Sequence, residues 1–331
     1  MDPPPSGPRG VSVPSVREEP TSPDRQSGSE GPEVPPSGDN RPHVAKSLNS
    51  GSKARPRSRA HLSLKAASLN IRGIHGSGVG SQTHAMNGVG KKLASAVNMM
   101  RAYRWSVLAL QETYESKTAA EALEAADDRV WAFPNPGTNH SAGTMIIVWK
   151  DHAKVEGGRD AVIHEVLVKG RAQRVSFKWR NKEDISLVNI YAPNDFGKAR
   201  IFFETVITRL PVKPSILMGD FNHVEAAIDK QNNKPPAEGT TEMLHFLHNA
   251  LSLVDGWREE NPLMHSYTWT SPSVNRDGSR ARSRLDRILL SKKLQNRAFF
   301  WDHVSSQNLS DHDAAVVEIA DNSSPHMGLG P

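Results

Sequence analysis

From Leu62 to Ile319 the chain is a succession of short apolar runs, and their spacing most limits the fold available to it. Val107 to Leu110 is a continuous apolar run, as expected of a strand covered on both faces. Leu62 to Ile71, Met145 to Trp149, Ala161 to Val168, Val175 to Trp179, Ser215 to Met218, Leu285 to Leu290 and Ala314 to Ile319 read as further strands. Ile185 to Ala192 is another, stopped by Pro193. Three segments follow a helical period instead. Lys91 to Tyr103 puts Leu93, Val97 and Met100 on one face, Ile201 to Leu210 keeps the same spacing, and Met243, Leu244, Leu247 and Leu251 line a third helix. Strands outnumber helices and come in blocks between single helices. The expected class is therefore α/β (α+β), with sheets packed on each other and helices outside, rather than a strict βαβ repeat.

Composition sets the boundaries. Residues 1–60 hold 12 of the 23 prolines and 11 serines, with no Phe, Trp or Tyr. Such a segment has too little large apolar surface to offset its ordering entropy, so a disordered arm is expected. Its last third carries Arg41, Lys46, Lys53, Arg55, Arg57 and Arg59. That reads either as a nuclear-import or nucleic-acid-binding arm or as a solvated linker with incidental charge. Residues 321–331 are small and polar and read as a frayed tail, which leaves one domain over 61–320. The formal charge of +5 is an average: the arm contributes +2 from 9 basic and 7 acidic residues, leaving +3 for the rest. Cysteine is absent, which excludes a disulfide framework, a thiolate nucleophile and a Cys-ligated metal. No apolar run approaches the ~20 residues that span a bilayer, and the first thirty residues lack the apolar stretch of a secretory signal. A soluble intracellular protein without membrane partners is expected. The glycines at 73, 76, 78, 80, 88 and 90 make no dinucleotide fingerprint and read as a flexible loop.

Carboxylates fall where strands end. Glu112 follows the run ending at Leu110 after one Gln, and Asp220 closes Ile216-Leu217-Met218-Gly219. Asp311 and His312 precede Ala314 to Ile319, and Asp286 lies inside an otherwise apolar segment. Asn70 closes the first strand, and Asn222 follows Asp220 by two residues. Acids at buried strand ends are costly unless paired or bound to a cation. Each also has an ordinary reading: an Asx turn at Asp220-Phe221-Asn222, a capping turn at Ser310-Asp311-His312, a turn cap at Asn70, a loop start at Glu112-Thr113, or a surface ion pair for Asp286 between Arg284 and Arg287. His223 and His265 read as ordinary surface or loop histidines.

Taken in order, the fragments carry more. Ala67-Ser68-Leu69-Asn70, Leu108-Ala109-Leu110-Gln111-Glu112-Thr113, Val188-Asn189-Ile190-Tyr191-Ala192-Pro193, Gly219-Asp220-Phe221-Asn222, Ser283-Arg284-Leu285-Asp286-Arg287-Ile288 and Ser310-Asp311-His312 run from one end of the domain to the other. This set resembles the endonuclease/exonuclease/phosphatase superfamily, the DNase I-like fold. The Leu-Gln-Glu-Thr and Ser-Arg-Leu-Asp-Arg-Ile blocks most resemble the endonuclease domains of non-LTR, LINE-type retrotransposons, with apurinic/apyrimidinic endonucleases next.

The resemblance implies a four-layered α/β sandwich, two packed mixed sheets flanked by helices, that hydrolyses a phosphodiester with Mg²⁺, Mn²⁺ being a possible substitute. By similarity Glu112 is the main metal ligand, with Asn70 beside it and Asp311 in the metal or water network. Asp220 would orient and deprotonate the attacking water, and Asn222 would hold water or phosphate. His312, kept charged and oriented by Asp286, would donate to a phosphate oxygen, and Tyr191 would bind the phosphate or support the leaving oxygen. Arg284, Arg287 and Trp269 are the candidate contacts to a DNA partner, with Trp269 equally open to a packing role. Arg276, Arg280 and Arg282 extend that basic cluster, or a solvated loop carries it. Two positions depart from the pattern: Arg72 stands where some repair-branch relatives carry an acid, and Tyr114 where the retrotransposon branch often has His. The expected function is a DNA-nicking endonuclease acting as a monomer inside the cell, in the nucleus; the alternatives are a phosphatase for inositol phosphates or phospholipid, and an inactive nucleic-acid-binding fragment. No reverse-transcriptase segment follows, so an isolated enzyme, a piece of a mobile-element protein or a decayed copy is expected.

Overall fold

The computed structural model describes residues 63–74, 89–180 and 182–322. The expected arm over 1–60, the tail beyond 322 and the glycines at 76, 78, 80 and 88 lie outside them. In chain order the elements are β1 (Ser63–Asn70), α1 (Lys91–Tyr103), β2 (Val107–Gln111), α2 (Lys117–Ala126), β3 (Val130–Asn135), β4 (Thr144–Trp149) and α3 (Lys150–Ala153). Next come β5 (Ile163–Val168), β6 (Ala172–Trp179), β7 (Glu183–Tyr191), α4 (Phe196–Arg209), β8 (Ile216–Asp220), α5 (Thr240–Leu251), β9 (Leu253–Asp255) and α6 (Gly256–Glu260). The chain closes with β10 (Trp269–Thr270), β11 (Arg282–Ser283), β12 (Asp286–Ser291), α7 (Lys292–Gln295), β13 (Ala298–Val304) and β14 (Ala314–Ala320).

Two six-stranded sheets form, ordered β13-β14-β1-β2-β4-β3 and β5-β6-β7-β8-β12-β9. β1 with β2 and β7 with β8 are parallel, and every other ladder is antiparallel, so both sheets are mixed. Period-two alternation sorts their side chains into three cores. In β1, Leu64 and Ala66 face the second sheet, while Ala67 and Leu69 face α1 and α2. In β8, Ile216 and Met218 face the first sheet, and Leu217 packs under α4 and α5. Three cores separate four layers, helix, sheet, sheet and helix, which is the DNase I-like sandwich. No helix among the described residues is long and apolar enough to cross a membrane.

The topology gathers the strand-end residues at one place. Because β1 and β2 are parallel, Asn70 pairs with Gln111 and both strands finish at the same edge. Tyr191 and Asp220 close the parallel pair β7 and β8 side by side. β12 runs antiparallel to β8, so its first residue, Asp286, lies opposite Asp220. An isolated bridge from Trp269 to His312 brings the approach to β14 to the same rim.

Candidate active site

The backbone at this rim is unusual before any side chain is considered. Glu112 (φ +52°), Asn222 (φ +54°) and Arg72 (φ +48°) are left-handed, a conformation that costs a side-chain-bearing residue about 1–2 kcal/mol. Non-glycine residues held this way cluster where surrounding structure over-determines a site. Gly219, at φ +149°, lets β8 close on β7, because a Cβ there would run into the Ile190 carbonyl oxygen. The glycine thereby fixes Asp220 next to Tyr191.

A connected set of hydrogen bonds follows. The Asn70 amide Nδ2 donates to Glu112 Oε1 at 2.9 Å and to Asp220 Oδ2 at 2.9 Å, spanning two carboxylates. The Tyr191 hydroxyl donates to Glu112 Oε1 at 3.1 Å. Asp220 Oδ1 accepts from the Asn222 backbone N–H at 2.9 Å, and the Asn222 side chain donates back to the Ala192 carbonyl at 2.8 Å. His312 Nδ1 lies 2.8 Å from Asp286 Oδ2. The Thr268 hydroxyl accepts from the backbone N–H groups of Leu285 and Asp286 at 3.0 and 2.9 Å, and so fixes the start of β12. Asp311 Oδ2 accepts from Trp269 Nε1 at 3.0 Å and from Arg72 Nη1 at 2.9 Å.

Electrostatics set the acid and the base apart. Burial, reinforced by the Asp286 carboxylate and partly offset by His312, lifts the Asp220 carboxyl to about 7. Burial works against a charged His312 ring, but the Asp286 carboxylate and its hydrogen bond outweigh it and raise the imidazole to about 9. Burial and the Glu112 and Asp220 charges push the Tyr191 phenol far up, so it remains a hydrogen-bond donor. One buried wall thus presents a carboxylate close to neutrality and a cationic imidazole, which is what proton abstraction combined with anion stabilisation requires.

One sequence expectation is corrected here. Arg284 and Arg287, taken as nucleic-acid contacts, are each 1% exposed. Arg284 Nε donates to Asp229 Oδ1 and its Nη1 to Asp255 Oδ2, both at 2.7 Å, while Arg287 faces the same two carboxylates at 3.5 and 3.7 Å. They neutralise buried acids behind Asp286 and cannot reach a phosphate. Asp286 belongs to a central strand with its carboxylate on His312, the partner that the resemblance implies for it, and its alternative as a surface ion pair is excluded. Arg276 and Arg280 on the β10–β11 connection and Arg282 at the start of β11 are exposed. Trp269 is half-buried, with its indole N–H on Asp311.

Sequence reading missed Thr268 and the acids Asp229 and Asp255, whose partners are 29 to 58 residues away along the chain. It quoted Gln111 and Asn189 only as parts of blocks. Both are fully buried: Gln111 Nε2 donates to Asn189 Oδ1 at 2.8 Å, and Asn189 Nδ2 donates to the Leu110 and Met145 carbonyls at 2.9 and 3.0 Å. The second sheet is hydrogen-bonded to the first directly beneath Glu112.

The donors also fit a hard cation. Glu112 is half-buried and faces a second carboxylate, Asp220, across the Asn70 amide, an arrangement in which a cation would relieve repulsion. Asp220, Asp286 and His312 offer ligand atoms within 4.8 Å of one another, and Asp286 Oδ1 is buried without a partner among the described residues. A charged His312 leaves that trio suited to binding an anion or water rather than a metal. Asp311 is already neutralised by Arg72.

Comparisons with known proteins bear on the family and the fold. Residues 67–312 match the Endonuclease/Exonuclease/phosphatase family. The Transposon TX1 uncharacterized 149 kDa protein of Xenopus laevis is 30% identical over 237 residues, which is 69% of this chain but 17% of that protein. The fold superposes on the AP endonuclease LMAP from Leishmania major with a TM-score of 0.63 at 19% identity, over 81% of this chain and 90% of that one. The endonuclease domain of TRAS1, a telomere-specific non-LTR retrotransposon, superposes at 0.51 and 16% identity, over 78% and 99%. The 3' phosphatase NExo from Neisseria, bound to a product DNA hairpin, does so at 0.56 and 17%, over 78% and 100%.

Proposed function

The chain belongs to the Endonuclease/Exonuclease/phosphatase family, and from that premise we propose that it is a metal-dependent endonuclease that nicks DNA in the manner of retrotransposon endonucleases. The observation that carries this reading is the geometry of one buried wall, where Asp220, Asp286 and His312 bring polar atoms within 4.8 Å of one another and His312 Nδ1 lies 2.8 Å from Asp286 Oδ2. Identity of 30% to a transposon protein favours a mobile-element role, as does Arg72 in place of an acid. Chromosomal DNA as substrate implies action in the nucleus.

In this reading Asp220 takes a proton from the water whose oxygen attacks phosphorus as the bond to the leaving oxygen breaks. The Asn70 and Asn222 donors hold the Asp220 oxygens and so aim the base. With His312 Nδ1 engaged by Asp286, Nε2–H is the donor left for a non-bridging phosphate oxygen. Tyr191, a donor throughout the working pH range, supports the leaving oxygen from the side of Glu112. Glu112, helped by Asn70 and a water shell, would hold Mg²⁺, with Mn²⁺ as a substitute, and the ion would supply positive charge to the phosphoryl and leaving oxygens.

The test is the full chain incubated with supercoiled plasmid. Nicked circles are expected with Mg²⁺, none with EDTA and none from Asp220→Ala. Plasmid left equally intact with and without Mg²⁺ overturns the reading. Phosphate release from inositol phosphates or phospholipid without nicking would make the protein a phosphatase, and DNA retention without cleavage under any divalent metal an inactive binder.

A further inference from the structure

The turn after β1 holds a cation against Asp311 that the chemistry above leaves unused. Arg72 is left-handed, and the turn is locked to the strand carrying the metal ligand: Ile71 N–H donates to the Gln111 carbonyl at 3.1 Å, and Gly73 N–H to the Glu112 carbonyl at 2.7 Å. A Cβ on Gly73 would lie 2.8 Å from the Tyr114 ring, so the turn is packed as well as bonded. From behind, Lys92 Nζ donates to the Ile71 and Arg72 carbonyls at 2.7 and 3.1 Å, placing a second cation next to the first. Like charges repel, so two cations fixed together need an anion. Asp311 is the internal one, at 2.9 Å from Arg72 Nη1, yet it also serves the Trp269 indole. The Arg72 side chain is 47% exposed, and of a guanidinium's five N–H donors only that on Nη1 has a partner among the described residues.

We infer that Arg72 is a substrate-binding residue: it exchanges Asp311 for a phosphate of the nucleic-acid strand, next to the phosphate being cleaved, with Lys92 holding the turn in place. The inference rests on the proposed DNA substrate. A guanidinium suits this because its fork can keep one N–H on a carboxylate while others grip phosphate oxygens. Asp311 acts as the stand-in anion of the free enzyme and releases Arg72 when DNA arrives.

The test is fluorescence anisotropy of a labelled duplex with the full chain in EDTA, across a salt series, beside plasmid nicking with Mg²⁺. Arg72→Ala should reduce the magnitude of the slope of log affinity against log salt by about one. Arg72→Lys should restore most of the slope, and Asp311→Asn should tighten binding in the wild-type background but not with Arg72→Ala. A merely structural turn residue would move the melting temperature and leave the slope alone. Wild type that binds and nicks while Arg72→Ala keeps its slope overturns the anchor and spares the endonuclease. Wild type that neither binds nor nicks removes both.

Discussion

At the scale of single residues, the site separates groups by what surrounds them. Asp220 and Asp286 are both acids on neighbouring strands, yet burial leaves the first near neutrality, while the second is matched to an imidazolium. Removing a positioned general base typically costs 10²–10⁴ in rate, so Asp220→Ala should lose nicking by about that factor without unfolding, read by plasmid nicking beside circular dichroism. The pH profile follows from the same two groups. Asp220 must be ionised, so activity rises as pH passes about 7, and His312 must be protonated, so it falls as pH passes about 9. Asp286→Asn removes the carboxylate that holds the proton on His312, and the alkaline limb should move to lower pH while the acid limb moves the same way, because Asp220 also loses a repelling charge. An alkaline limb unchanged in Asp286→Asn would show that another group sets it. These residues were legible as candidates only through the six blocks taken in order, because each acid alone also has an ordinary turn or ion-pair reading. Arg284 and Arg287 were not: charge is visible in a sequence, but the burial that turns it inward depends on Asp229 and Asp255, which arrive from other elements.

At the scale of elements, strands buried on both faces, such as β2 and β8, were the most legible, and the elements at the margins the least. β3 contains Pro134 and pairs on one side only, and proline is tolerated at such an edge. β13 is the opposite edge, with Phe299 45% exposed, so its aromatic run has no buried face to give a period. α2 is built largely from Ala and Glu, and its buried residues are two alanines and one leucine. What holds β12 and β9 in place is the cluster of Asp229 and Asp255 with Arg258, Arg284 and Arg287. Breaking a buried pair from one side leaves an uncompensated charge, at a cost of roughly 3–5 kcal/mol. Asp229→Ala should therefore lower the unfolding free energy obtained from urea titration by that amount and displace Asp286. Against the desolvation that opposes ionisation, the arginines hold both carboxyls below the usual carboxylate range. As pH falls through about 4, the unfolded chain takes up protons that the folded state refuses, so their stabilisation is full above that pH and is lost below it. Wild type should lose stability steeply in acid, and Asp229→Ala should show a shallower loss between about pH 5 and 2. Equal slopes would assign the acid sensitivity elsewhere.

At the scale of the whole molecule, the sandwich has to bring strand ends from two sheets to one rim, and apolar packing alone does not fix how the sheets slide over each other. The polar link between Gln111 and Asn189 does, because its hydrogen bonds are directional and lie within an otherwise apolar interface. Asn189 donates to the Leu110 and Met145 carbonyls from the far sheet, and Gln111 directly precedes Glu112. No periodicity reveals such a tie. A polar residue within a strand has the same letter whether it faces water or another sheet, and only the register of β7 against β2 and β4 gives it a partner. Asn189→Ala would remove the bonds to the Leu110 and Met145 carbonyls and one of the three made by Gln111 Nε2, each bond worth about 0.5–1.5 kcal/mol net. The expected outcome is a lower denaturation midpoint together with a nicking rate reduced well beyond what the stability loss implies, because Glu112 and Asp220 would no longer be held at a fixed separation. Asn189→Leu together with Gln111→Leu replaces the polar link by apolar surface and should recover stability without recovering rate, since the register is then no longer specified. Full activity in that double variant would show that apolar packing alone aligns the two halves of the site.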